Sequence, residues 1–406
     1  MSTAYQSIYS FVETLPVVSS HEHHWPDELQ LGLTLERIFE KSYVGWRGAR
    51  VVGSTREARA AFLTRHRGGS YFTWLEKGIQ RVHDFDEKIT ADNWDHLSGR
   101  IEQRHAAPGE HVAILRDIGR YRRAVQDTYW QYGSDAGHPE MFSPTMRTDM
   151  FIRCFHPSVR DHDDNNPFAF YPDAPRTDFG AYLDWLQALF TGWRNRGAVA
   201  LKSASAYERS LGYGPGDLRA AAQVFGREPE TVGEEERALF EETLFNWFCA
   251  LAAKLDAPLQ VHMGLGRLTG SRPVLFAPTL ERHPRTRFVL FHMGYPWYPE
   301  VGALAHNYPN ALPDMVWAPI ISPTAAISAL RQYIEVTRTN DLIAWGSDTW
   351  TSEDAVGALL AWQHVVATVL SEKVESGYID RADAEQLARG LMYENAAKIY
   401  GFQVTV

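Results

Sequence analysis

The stretches Val261-His262-Met263-Gly264 and Phe291-His292-Met293-Gly294 repeat one pattern, apolar-His-Met-Gly, thirty residues apart. Each histidine ends an apolar run with strand character, Pro258 to Val261 and Phe288 to Phe291. Thirty residues is about the length of one strand-helix-strand unit, so both histidines are expected at the same end of a parallel sheet. Two other runs finish in a similar way. Val17-Val18-Ser19-Ser20-His21-Glu22-His23 ends in His-x-His, and Leu342-Ile343-Ala344-Trp345-Gly346-Ser347-Asp348 ends in aspartate. Four strand ends that carry imidazole or carboxylate describe a metal site built from distant parts of one chain.

Working outward, the chain offers eight strand candidates: residues 17–23, 122–128, 151–155, 198–202, 258–263, 287–293, 312–317 and 342–348. Helical patterns separate most of them. Phe179 to Trp193 sets Tyr182, Trp185, Leu186, Leu189 and Phe190 on one face, and Glu234 to Leu255 and Asp354 to Leu370 repeat that period. Strands alternating with helices imply a parallel α/β sheet, and eight of them imply a distorted TIM (β/α)8 barrel. Residues 1–406 then read as one barrel domain. Between the first two strands, residues 27–120 are too long for a loop. Helical periods at Leu33–Phe39, Thr55–His66, Tyr71–Val82 and Asn93–Gln103 make them an inserted helical subdomain, expected to overhang the site. A smaller break follows the fourth strand at Gly212-Tyr213-Gly214-Pro215-Gly216.

The 406 residues exceed the ~250 typical of such a barrel, which leaves room for that insertion. A net charge of −10 with no basic stretch argues against a nucleic-acid partner. Cys154 and Cys249 are too few for a disulfide framework or a thiolate zinc site. The first fifteen residues lack an apolar leader core, and no run of ~20 apolar residues is expected to span a membrane. A cytoplasmic enzyme with a small-molecule substrate is the expected class, with homo-oligomerisation left open.

His21 and His23 are two apart, so on a strand they share a face. With a hard carboxylate at Asp348 they suit Zn, Fe, Mn, Ni or Co, and zinc is the expected divalent ion. His24 faces the other way and reads as a hydrogen-bonded neighbour. His21-Glu22-His23-His24-Trp25 is not a zincin motif, since Trp25 stands where the second histidine belongs. Gly264-Leu265-Gly266 has Thr269 at the third glycine position, so no nucleotide cofactor is expected. His156, after the third candidate strand, divides between a substrate contact and a bond to the following turn. Tyr207 and Arg209 follow the fourth strand, and Arg209 suits a substrate carboxylate or a surface ion pair equally. Trp297 and Trp350 directly follow site residues and are candidates to line the pocket. His162, among Asp161, Asp163 and Asp164, reads as a solvated turn.

These motifs resemble the amidohydrolase superfamily, which pairs His-x-His on the first strand with histidines ending the fifth and sixth and aspartate ending the eighth. His292-Met293-Gly294-Tyr295-Pro296, Tyr308-Pro309-Asn310, Trp345-Gly346-Ser347-Asp348 and Glu394-Asn395-Ala396-Ala397-Lys398-Ile399-Tyr400 are similar to its "amidohydrolase 2" branch. Leu201-Lys202-Ser203 with Ala206-Tyr207-Glu208-Arg209 resembles the nodulin-like members fused to glutamine synthetase, and the long insertion resembles uronate isomerases. The resemblance implies a metal-dependent hydrolase of amide or related C–N bonds in a small carboxylated substrate. It implies His21, His23 and His262 as metal ligands, and Asp348 as ligand or base beside the attacking water. His292 would hold a second metal or bind substrate. Lys202 would bridge two metals as a carbamate or bind a substrate carboxylate as an ammonium; one ion is favoured and two stay open. The alternatives are a decarboxylase or uronate isomerase with the same site and, from another class, a non-catalytic binding module.

Overall fold

Seven strands follow one another around a parallel sheet in the computed structural model, which describes residues 2–46 and 53–404. They are β1 (Val17–Glu22), β2 (Tyr121–Gln126), β3 (Phe142–Arg147), β4 (Ala200–Ser203), β5 (Leu259–Val261), β6 (Phe288–Leu290) and β7 (Ala311–Pro313). Each pairs in parallel with the next, for instance Ser203 with Val261 and Val261 with Leu290. The segment 342–348 makes no regular strand, yet it lies between β7 and β1 and bonds to both. Met315 N donates to Ala344 O at 2.8 Å, Ser20 N to Trp345 O at 2.9 Å, and Asp348 N to His21 O at 3.1 Å. These bonds close the ring into a distorted (β/α)8 barrel.

Two features hold that closure. Gly346 passes so near β1 that a Cβ there would stand 2.5 Å from His21 N, so only glycine fits. Glu22, buried, accepts from Ser347 N at 3.2 Å and from the hydroxyls of Ser19 and Ser347. Burial pushes its carboxyl up to about 7, against the pull of those bonds.

The outer helices follow the apolar periods. The helix Phe179–Asn195 starts where Asp178 accepts from Ala181 N, and it buries Phe179, Tyr182, Leu186, Phe190 and Trp193. Each such side chain contributes roughly 1.5–3 kcal/mol. One helix, Ser352–Glu375, is long and apolar enough to cross a membrane, contrary to the sequence reading. It lies buried between the helices Thr3–Thr14, Ser70–His83 and Pro323–Val336, as a core helix.

The third strand was misplaced by the sequence. Phe151 to Phe155 is not a strand; the helix Asp149–Arg153 takes most of it, with Phe151 and Phe155 fully buried. A short apolar run has no period to separate strand from buried helix. The strand that does form, β3, carries Pro144, a residue that argues against a strand interior.

Between β1 and β2 the chain forms the helices Asp27–Gln30, Leu35–Lys41, Arg56–His66, Ser70–His83, Trp94–Arg104 and Glu110–Asp117. Residues 47–52 of this stretch lie outside the described residues. Leu33, Ile38, Phe39, Phe72, Ile79, Trp94 and Leu97 give it an apolar cluster of its own. It is fastened to the barrel by Glu353, whose carboxylate accepts from His83 Nε2 at 2.9 Å and His105 Nε2 at 2.7 Å with all three side chains buried.

Candidate metal centre and active site

His21 and His23 end β1 with their rings 4.8 Å apart, and both turn Nε2 toward Asp348. His23 Nε2 lies 3.1 Å and His21 Nε2 3.6 Å from Asp348 Oδ1. Their outer nitrogens are held by acceptors. His21 Nδ1 faces Gln260 Oε1 at 3.0 Å, and His23 Nδ1 faces the carbonyl of Asp127 at 2.7 Å. The Gln260 amide cannot turn round, because its Nε2 donates to Ser20 O at 2.9 Å and to Tyr400 OH at 2.8 Å. An amide or carbonyl oxygen only accepts, so both Nδ1 atoms carry protons, and in the neutral rings that ligate a metal both Nε2 atoms present lone pairs. Two lone pairs and a carboxylate oxygen, all within 4.8 Å of one another, repel unless a metal ion lies among them or His23 takes up a proton toward Asp348. Two imidazoles and a carboxylate match a zinc-class ion with a position left for water.

The backbone here is held in unusual conformations. His292, Met293, Trp317 and Asp348 all have positive φ, from 46° to 64°, which costs a non-glycine residue of order 1–3 kcal/mol. In the repeated His-Met-Gly strings, Gly264 lies against the backbone of Gly294 and Tyr295, where a Cβ would stand 2.2 Å from Tyr295 O. The two strings therefore pack glycine against glycine and aim their histidines at each other. His262 Nδ1 is 2.9 Å from His292 Nε2, with the outer nitrogens on Leu265 O and Val316 O.

Lys202, at the end of β4, is buried with Nζ 3.3 Å from His21 Nε2 and 4.2 Å above the Phe291 ring. Burial lowers its pKa to about 8, while Asp127 and Asp348 pull the other way. Asp127 and Arg147 end β2 and β3, joined at 3.0 Å, and Arg147 also reaches Asp149 and Asp163. Above these groups is a cavity of about 370 Å³, lined among others by His23, Tyr43, Lys202, Tyr207, His262 and Trp350. That volume suits a small substrate. A larger cavity, about 890 Å³, lies elsewhere, between Tyr9, Trp74 and His364, and holds none of these groups.

Residues 215–402 match the family model described as Amidohydrolase. That match spans a little under half of the chain. Protein fluG of Emericella nidulans is 27% identical over 220 residues, a match that takes in 50% of this chain and only 25% of that protein. The fold extends over the whole chain. A uronate isomerase from Thermotoga maritima superposes with TM-score 0.76 at 15% identity, covering 98% of both chains. A glucuronate isomerase from Caulobacter crescentus does so with TM-score 0.74 at 18% identity, covering 100% of this chain and 95% of its own. The chain thus shares the fold of these two isomerases.

Of the residues singled out from the sequence, His21, His23 and Asp348 come together, His21 fully buried and the other two lining the cavity with Lys202, Tyr207, His262, His292 and Trp350. His262 meets His292 and not the Asp348 group. Three lie away from this group. Arg209 is taken up by Glu241 and Glu242, both at 3.1 Å, and lines a separate cavity. His156 bonds Ser158 in its own turn at 2.8 Å. Trp297 caps the next helix beneath Arg272.

The sequence reading missed Tyr43, Asp127, Arg147, His162 and Asp163, which all line the cavity. Asp127 had a usable signal, a carboxylate at the end of the 122–128 run, the same one that marked Asp348. Arg147 had none once the third strand was misplaced. The turn at His162 is not simply solvated, since its ring stacks on Tyr207 at 5.2 Å.

Tyr43 comes from the helical segment and donates its hydroxyl to Asp348, 2.9 Å from Oδ2 and 2.9 Å from the backbone oxygen. A hydrogen bond to a charged group contributes about 1.5–3 kcal/mol. Tyr43→Phe is therefore expected to lower kcat/KM roughly 10- to 100-fold with metal content unchanged, measured by steady-state kinetics beside metal analysis. An unchanged kcat/KM would mean that the hydroxyl does not steady Asp348 during turnover.

Proposed function

We propose that the protein is a metal-dependent hydrolase that cleaves an amide or related C–N bond of a small carboxylated substrate. The observation that carries this reading is the convergence of two imidazole lone pairs and the Asp348 carboxylate at the floor of a substrate-sized cavity. His21, His23 and Asp348 would hold one divalent ion, zinc on this donor set, which when bound supplies Lewis acidity and makes water more acidic. Asp348 takes the proton of the attacking water and passes it to the leaving nitrogen. Tyr43 keeps that carboxylate oriented. His292, its ring fixed by Val316 O, hydrogen-bonds the substrate through Nε2 in exchange for its present contact with His262. Lys202 remains an ammonium and pairs with the substrate carboxylate, while Tyr207 and Trp350 wall the cavity. The helical segment acts as a lid that shapes substrate choice, a role supported by Tyr43 reaching into the site.

One observation favours a second reading, isomerisation of a uronate. The two uronate isomerases cover nearly the whole chain, helical segment included. Such a reaction needs a base that moves a proton between adjacent carbons and no attack by water. A panel of carboxylated amides, lactones and uronates, assayed with zinc for amine release, acid formation and ketose formation, separates the two. Amine release that stops on chelation supports the hydrolase. Ketose formation without it supports the isomerase, and turnover that survives chelation would overturn both.

Lys202→Ala is expected to raise KM roughly 10- to 100-fold with kcat little changed, since a charged hydrogen bond to bound substrate is lost. Isotopically labelled bicarbonate should give no carbamate carbon signal on the protein. A carbamate signal that vanishes in the variant would instead make Lys202 a bridge between two ions.

A further inference from the structure

A second group of ligand-type side chains lies on the far side of β1, outside the cavity. Asp27 opens the first helix after β1, His111 belongs to the helix Glu110–Asp117, and His138 lies in the connection from β2 to β3. Asp27 Oδ1 is 3.2 Å from His111 Nε2, and Asp27 Oδ2 is 3.2 Å from His138 Nε2. The three ligand atoms all lie within 4.8 Å of one another, and the two rings are 5.2 Å apart at 80°.

His111 is the telling residue. It is 1% exposed, yet among the described residues neither of its ring nitrogens has a hydrogen-bond partner. Its approach to Asp27 is close enough for an ion pair but lacks hydrogen-bond geometry. Leaving a buried polar group unpaired is costly, so native interiors rarely do it. The other two residues are prepared as ligands. Asp27 Oδ1 accepts from Gly109 N at 2.7 Å, which orients the carboxylate. His138 Nδ1 faces Glu140 Oε1 at 3.2 Å, a carboxylate-histidine pairing, and the opposite nitrogen points at Asp27 Oδ2, its hydrogen-bond partner at 3.2 Å. Asp27 and His138 keep some exposure, 26% and 16% of their side chains, so an ion and a water have a way in.

We propose that Asp27, His111 and His138 hold a second divalent cation of the zinc class. Two imidazoles and one carboxylate leave a fourth tetrahedral position for water. The cation ties together the start of the helical segment, its last helix and the β2–β3 connection. It is a fastening and takes no part in turnover.

The test is zinc binding itself, on full-length protein stripped with chelator, refilled with zinc and assayed for bound metal after gel filtration. The His138→Gln variant should hold one zinc ion fewer per chain than the unaltered protein. Added zinc should raise the melting temperature of His23→Ala, and this rise should disappear when His138→Gln is combined with it. Equal zinc content in the unaltered protein and His138→Gln would overturn the proposal. So would a zinc-dependent rise that survives the second substitution. Should circular dichroism show that His138→Gln is misfolded, Asp27→Asn is read in the same way. The comparison is a difference between variants, so it stands whether or not the cavity site binds its own ion.

Discussion

His23→Ala is expected to abolish measurable turnover and to empty the cavity site of its ion. The side chain supplies one of two imidazole lone pairs facing Asp348, and its other nitrogen is already fixed on the Asp127 carbonyl. Asp127 Oδ2 lies 3.6 Å from His21 Nε2, but that oxygen is taken up by Arg147 at 3.0 Å. Lys202 Nζ is the nearest polar group to His21 Nε2, and an ammonium carries no lone pair. His21→Ala should behave alike. Asp348→Asn tests a different part of the site. The amide keeps the shape and one oxygen, so metal is expected to stay, while proton transfer worth roughly 10²- to 10⁴-fold is lost. Zinc analysis beside a turnover assay separates the two kinds of variant. A His23→Ala protein with full activity and full metal would sink the assignment of this centre.

The largest expected effect on stability comes from Glu353→Ala. The carboxylate is fully buried and is shared by His83 and His105, both also buried. Removing it leaves two imidazole N–H groups without an acceptor, and breaking such a buried set costs about 3–5 kcal/mol. Urea unfolding at neutral pH should show the loss as a lower midpoint with an unchanged slope. A loss under 1 kcal/mol would mean that water or a neighbour takes over the acceptor role.

The same cluster sets a pH dependence. Burial opposes the charge on Glu353, but His105 and His83 outweigh it and hold the carboxyl well below its usual range. That contribution is present above the unfolded value near ~4.3 and is lost as pH falls through the folded one. Burial opposes the charge on His105 too, but Glu353 outweighs it and raises its pKa. That contribution is full below the unfolded value near ~6.5 and fades as pH rises through the folded one. The stability gap between the unaltered protein and Glu353→Ala should therefore be widest at roughly pH 5–6.5. A gap that widens steadily toward pH 9 would contradict this pairing.

How much of this was legible depended on whether a signal was local. The ends of β1, β5 and β6 could be read because an apolar run stops at a histidine, and His21 and His23 share a face by strand geometry alone. The third strand was hidden by Pro144 and by the more apolar run Phe151–Phe155 beside it, which forms a buried helix. Arg209 could not be decided between a substrate clamp and an ion pair, because its partners, Glu241 and Glu242, lie more than thirty residues away in sequence. Tyr43 could not be linked to Asp348 from sequence, since 305 residues separate them and no pattern marks the pair. Residue types survive in a sequence; the partners that commit them do not.

The bonds that close the barrel join Glu22 to Ser347, 325 residues later. At the usual pace of translation, β1 leaves the ribosome roughly 15–65 seconds before the segment that will cover its open edge. During that interval His21 and His23 are already made, while Asp348 does not yet exist. The nascent chain therefore carries an unpaired strand edge with half a metal site on it, a surface prone to wrong pairing and wrong ions. An ion that needs Asp348 as well as the two histidines can be held only after residue 348 has been made and has docked beside β1, so its loading is expected late in folding.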